Sequence, residues 1–145
     1  MSRASDATLR RFPSKIFSIL KLVPVGAQEY TTPMKSSLAR KKCAPCEGDV
    51  QPLSPEQVLH FMPETPDWQA DPEVSVIART FECKNFRKVM VFVNRVADLA
   101  EAEGHHPGIF IHDYRNVTIS LTTHAIGGLS ENDFIMAAKI DAMTR

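Results

Sequence analysis

Three histidines could carry proton-transfer chemistry in this chain: the adjacent pair His105-His106 and the more distant His124. They lie within residues 101–133, EAEGHHPGIFIHDYRNVTISLTTHAIGGLSEND, a stretch that holds four of the five histidines. Histidine is the side chain that most readily gives and takes a proton near neutrality, so a cluster of them suits general acid and general base work. Pro107 biases His106 towards extended backbone. The flanking Gly104 and Gly108 loosen the turn enough to aim both rings at one ligand. The bland alternatives stay open on the residues alone. His105 and His106 could be exposed loop histidines, His124 an ordinary polar-face strand residue, and Asp133 a helix-capping carboxylate three positions after Ser130. A metal site is not expected, because zinc sites favour a spaced pair on one element and adjacent histidines chelate poorly.

The elements that must position these groups follow from the pattern around them. Ser54-Pro55-Glu56-Gln57 reads as a capped helix start, with Val58, Phe61 and Met62 as its apolar face. Residues 68–71 read as a short strand and Asp71-Pro72-Glu73 as a turn. Residues 74–83 are β-branched and aromatic enough for a second strand. Asn85 then caps the longest helix, whose stripe is Phe86, Val89, Met90, Val93, Val96, Ala97 and Ala100, and Gly104 stops it. Residues 109–112 and 116–124 make a hairpin about the turn at 113–115. In its second strand Val117, Ile119 and Leu121 alternate with Thr118, Ser120 and Thr122. Gly127-Gly128 breaks that strand. Ser130 opens the last helix, with Phe134, Ala137, Ala138 and Ile140 as its apolar side. The order α-β-β-α-β-β-α predicts an α+β domain: a single antiparallel four-stranded sheet with three helices on one face. Its other face is left for water or another subunit.

Composition bounds the function. The 145 residues suit one domain with a short surplus. Residues 1–37 are expected to be an N-terminal extension and 38–145 the domain. The first 33 residues read either as a disordered or upstream-start extension or as a transit peptide. The location is expected to be cytoplasmic, or mitochondrial or plastid if that segment is a targeting signal. Charge is divided unevenly: residues 1–42 carry nine basic and two acidic side chains, residues 43–145 eight and fifteen. An acidic domain argues against a nucleic-acid groove. No apolar run approaches the roughly 18 residues of a membrane span. Cys43, Cys46 and Cys83 make no disulfide framework. The Cys43-Ala44-Pro45-Cys46 spacing is half a zinc site without its other half, so a reduced loop is the favoured reading.

The motifs together resemble one family. Glu101-x3-His105-His106-Pro107 is followed by Tyr114-x-Asn116-Val117, Thr123-His124, Gly128-Leu129-Ser130-Glu131 and Asp133. With the Lys-Lys-Cys-x-Pro-Cys-Glu-Gly run at 41–48, the chain over roughly 38–141 resembles the pterin-4a-carbinolamine dehydratases, also called 4a-hydroxytetrahydrobiopterin dehydratases. Two departures are visible. The segment between His106 and His124 is one residue longer than expected, at the 112–114 turn, and Gly104 stands where some members carry an acid. The resemblance implies a homodimer or homotetramer acting on a small-molecule pterin without metal or cofactor. The implied reaction dehydrates 4a-hydroxytetrahydropterin to quinonoid dihydropterin, recycling the pterin of aromatic amino acid hydroxylases. It carries catalytic roles to His105 and His124 and substrate-binding roles to His106, Asp133 and Glu101.

That chemistry needs one acid and one base. His105 follows a helix C-terminus, which favours the imidazolium, and His124 precedes a helix N-terminus, which favours the neutral ring. This makes His105 the expected donor to the leaving hydroxyl, His124 the base at N5 and His106 a substrate contact. A carboxylate of Asp133 beside His124 would exchange the two roles. Two other classes compete: a non-catalytic dimerisation or coactivator-like module, which some members of the resembled family provide, and a metal-dependent hydrolase.

Overall fold

The structure is a computed structural model that describes residues 36–45 and 50–144. Of the extension expected over 1–37, all but Ser36 and Ser37 lies outside the described residues, as does Cys46. The elements are α1 (Pro55–Phe61), β1 (Gln69–Ala70), β2 (Ile77–Glu82), α2 (Phe86–Glu103), β3 (Gly108–His112), β4 (Asn116–Leu121) and α3 (Glu131–Ala142), the α-β-β-α-β-β-α order expected. The four strands form one antiparallel sheet in the order β1-β2-β4-β3. β4 is therefore central, and β3 lies at one edge.

The alternation of β4 sets the layers. Val117, Ile119 and Leu121 are fully buried under the helices, while Thr118 and Ser120 on the opposite face are half-exposed. β2 joins them with Ile77 and Phe81 on the buried side. Three helix starts are fixed as their sequences dictate. Ser54 and Gln57 cap each other's backbone, Asn85 accepts from the Lys88 amide, and Asp133 reaches back to the Ser130 amide; each bond satisfies an amide the helix itself leaves unpaired. Trp68, buried just before β1, donates its indole hydrogen to Asp141 Oδ1 at 2.9 Å. Arg79 of β2 meets the same oxygen. Burial pushes the Asp141 carboxyl up, against the pull of these two donors.

Three expectations about the elements need correction. The stripe of α2 is Val89, Phe92, Val96 and Ala100, with Val93 partly buried. Phe86 and Met90 are 52% and 39% exposed, and Ala97 is exposed, so the helix is rotated from the predicted face and buries Phe92 instead. β2 starts at Ile77 rather than at 74, because Asp71 draws residues 74–76 into a turn: its carboxylate accepts from the Ser75 and Val76 amides, with Val74 at φ 55°. β4 ends at Leu121 rather than at 124, and His124 begins a short 3-10 turn, His124–Ile126. The hairpin turn after β3 holds Asp113 and Tyr114 both at positive φ, the left-handed geometry that suits a right-twisted hairpin.

Candidate active site

The site begins where α2 stops. Gly104 takes φ 66°, the left-handed conformation glycine adopts without a Cβ penalty, and the His105 amide closes back on the Ala100 carbonyl at 3.2 Å. The chain reverses there and delivers His105 and His106 together. His105 Nε2 lies 2.7 Å from Asp133 Oδ1, its side chain 11% exposed and that of Asp133 fully buried. His106 Nε2 lies 2.7 Å from Glu101 Oε1, and both of those side chains face solvent.

Asp133 belongs to the first turn of α3. Its second oxygen accepts from the Ser130 amide and from the Thr123 hydroxyl, each at 2.8 Å. The single Thr123 hydrogen is thereby committed, so the Ser130 hydroxyl supplies the hydrogen of the 2.7 Å bond between the two hydroxyls. With donors filling one oxygen, the other accepts the Nε2 hydrogen of His105. This fixes the ring and leaves Nδ1 as the nitrogen not held by the carboxylate, the arrangement by which a buried carboxylate orients an imidazole. The carboxylate thus serves His105 and not His124, the partner that would have exchanged their roles. It also keeps its capping function: one residue performs both tasks.

His124 arrives from the other side. Thr123 and Gly128 pair their backbones, and Gly127 at φ 69° closes the 3-10 turn on which His124 is exposed. His105, His106 and His124 line one open cleft of about 880 Å³, together with Glu101 and Thr123. A ligand pocket for a small molecule falls in this size range. His112 does not join them. It sits on the open sheet face, stacked on Phe110, within 2.8 Å of Asp113 and 3.1 Å of Thr118. Among the described residues no group of three or more His, Cys, Asp or Glu side chains is placed to hold a metal ion.

One wall of the cleft was missed in the sequence. Residues 42–45 line it, as does Asn132. The Cys-Ala-Pro-Cys run has a ligand spacing and belongs to the family resemblance, but no local pattern tells which helix it lies against. Cys43 is buried, and burial first and the Glu103 charge second push its thiol up to about 12, so it stays protonated and packs rather than reacts. Glu103 accepts from the Cys43 amide at 2.9 Å and pairs with Lys139, which hold its carboxyl below the ordinary range despite burial.

Fold and site together define a small α+β protein that gathers three histidines, one of them backed by a buried carboxylate, at the exit of its long helix. The sequence pattern of the pterin 4 alpha carbinolamine dehydratase family matches residues 51–143. A Halorhodospira halophila protein with the provisional name pterin-4-alpha-carbinolamine dehydratase is 44% identical over 107 residues, covering 74% of this chain and 97% of its own. A Nitrosomonas eutropha protein with the same provisional name is 47% identical over 108 residues, covering 73% and 92%. Among solved structures, a transcriptional coactivator/pterin dehydratase from Brucella melitensis matches with a TM-score of 0.61 at 29% identity, over 66% of this chain and 100% of that one. The chain belongs to the pterin 4 alpha carbinolamine dehydratase family.

Proposed function

We propose that this protein dehydrates 4a-hydroxytetrahydropterin to quinonoid dihydropterin, by acid and base catalysis from its own histidines. The observation that carries the reading is the cleft shared by the His105-His106 turn and His124, with Asp133 locked behind His105. In the reaction the C4a–O bond breaks and the hydroxyl leaves as water with a proton from the acid. N5 gives its proton to the base, and the C4a–N5 double bond forms. His105 is the donor: Asp133 compensates the charge the ring carries while Nδ1 holds a proton. His124, with no carboxylate against it among the contacts described, is the base at N5. His106, held by Glu101 at the rim, contacts the substrate. Each proton transfer is worth about 10²–10⁴-fold.

The test follows the pterin ultraviolet spectrum as carbinolamine generated in situ decays. Wild type is expected to accelerate the decay, and both His105→Ala and His124→Ala to abolish most of that acceleration. Decay at the uncatalysed rate with wild type present would overturn the proposal. A second reading, a coactivator-like binding module, draws on the name of the Brucella melitensis structure and on Phe86, Met90 and Val91, which α2 leaves exposed. Capture of a partner lost on Val91→Glu, from a protein without dehydratase activity, would favour it. Self-association as a dimer or tetramer is part of the first proposal, and sedimentation of the full chain checks it.

A further inference from the structure

Residues 42–45 are fastened to the site by contacts that no part of the proposed chemistry uses. The Asn132 carboxamide grips Ala44 from both sides: Nδ2 donates to the Ala44 carbonyl at 2.6 Å, and Oδ1 accepts from the Ala44 amide at 3.0 Å. This is the hydrogen-bond pair one strand offers another, made by a side chain that is only 6% exposed. One residue earlier, the Cys43 amide donates to Glu103 at the end of α2. Lys41 pairs with Glu131 on the first turn of α3. Anchors at Lys41, Cys43 and Ala44 therefore hold an otherwise irregular segment against the end of α2, which leads into His105, and the start of α3, which carries Asp133. The segment faces the same cleft as the three histidines.

We propose that residues 42–45 form a positioning wall for the flat pterin ring, and that Asn132 is the latch that holds the wall in place. This rests on the dehydratase reading and deepens it. Asn132 does not touch the reacting atoms; it acts through Ala44. Its neighbour Asp133 orients the acid, so a single helical turn sets the distance between the wall and the catalytic ring. A small ring that reacts at C4a and N5 must be bound between the wall and two histidines, and a loosened wall binds it less tightly while the catalytic groups stay intact. Ala44 and Pro45 offer an uncharged surface for such a ring.

Asn132→Asp tests the latch in the full-length protein. The new side chain is of the same size, can still accept from the Ala44 amide and is favoured at a helix N-terminus, so the fold is retained. It sets an oxygen against the Ala44 carbonyl where a donor stood, and the grip opens. We expect KM for the carbinolamine to rise about tenfold, the weight of one net hydrogen bond, with kcat changed by less than about threefold, the split that marks lost binding rather than lost chemistry. Amide exchange at Cys43 and Ala44 should accelerate in the same variant, and binding of a stable 7,8-dihydropterin should weaken by the same factor as KM. An active wild type with an unchanged KM in the variant overturns the wall alone. Unchanged exchange at Ala44 overturns the latch. A fall in kcat at constant KM also overturns the inference, since it would place Asn132 in the chemistry through Asp133. A wild type that fails to dehydrate the carbinolamine overturns the proposed function and the wall with it.

Discussion

Replacing Asp133 with asparagine isolates the charge from the shape. The carboxylate holds His105 at 2.7 Å while accepting from the Ser130 amide and the Thr123 hydroxyl. A carboxamide has one oxygen. If that oxygen keeps the Ser130 and Thr123 donors, as the buried amide demands, its NH2 group faces His105 Nε2. Two donors then meet, and the ring must give up the Nε2 hydrogen. It loses the carboxylate that would balance a second proton, and with it the capacity for the proposed role as acid. A buried charge-assisted hydrogen bond is worth about 1.5–3 kcal/mol. At 1.36 kcal/mol per factor of ten, that bond alone accounts for about 10–150-fold in rate. Complete loss of the acid would cost about 10²–10⁴-fold. We therefore expect Asp133→Asn to lower kcat by about 10²-fold or more in the carbinolamine decay assay. The Asp133→Asn, His105→Ala double variant should be no worse than His105→Ala alone, because the two residues act as one unit. A single variant within about threefold of wild type, or losses that simply multiply, would refute the reasoning.

The remaining predictions concern the proposed base, the proposed wall and the helix end. His124→Ala should lower kcat by about 10²–10⁴-fold, while its stability in urea stays within about 0.5 kcal/mol of wild type because the side chain is exposed. The Glu103 carboxyl is held low in the folded state by the Cys43 amide and Lys139. Its stabilisation is therefore complete above the ordinary glutamate range and is lost as pH falls through the lower folded value. Glu103→Gln should accordingly be less stable than wild type at neutral pH, by about 1–2 kcal/mol, and the gap should close in urea titrations at progressively lower pH. A gap independent of pH would contradict the assignment. At Gly104 an added Cβ would meet nothing within 4 Å, so the cost of Gly104→Ala comes from φ 66° alone. About 1–2 kcal/mol should be lost in the urea midpoint, with a fall in kcat as the histidine turn shifts.

Much of this arrangement was legible in the residues. Ser54, Asn85, Gly104 and Ser130 punctuate the helices through local hydrogen bonds and backbone preference, and each stands where its chemistry predicted. β4 was readable because strict alternation admits one burial pattern. The face of α2 was not. Apolar residues ring more of that helix than one stripe requires, and only tertiary packing chooses Phe92 over Phe86. In the site, the two clusters were visible as types and spacing, whereas the pairing of Asp133 with His105 was not. Those two are 28 residues apart, and sequence placed the carboxylate nearer to His124. The wall at 42–45 lay beyond reach for the same reason: its partners in α2 and α3 are about 60 and 88 residues away.

α3 has nine of its twelve residues buried, among them Phe134, Ile135 and Met136 immediately after the site residues. Its opening turn cannot slide or tilt independently, because the rest of the rod is clamped by the interior. Repacking at Met136 or Ile140, far from any substrate, would therefore transmit sub-ångström displacements to the imidazole that Asp133 steers. The geometry of the cleft in such a molecule is adjustable from the hydrophobic centre outward, through substitutions that leave every cleft-lining side chain untouched.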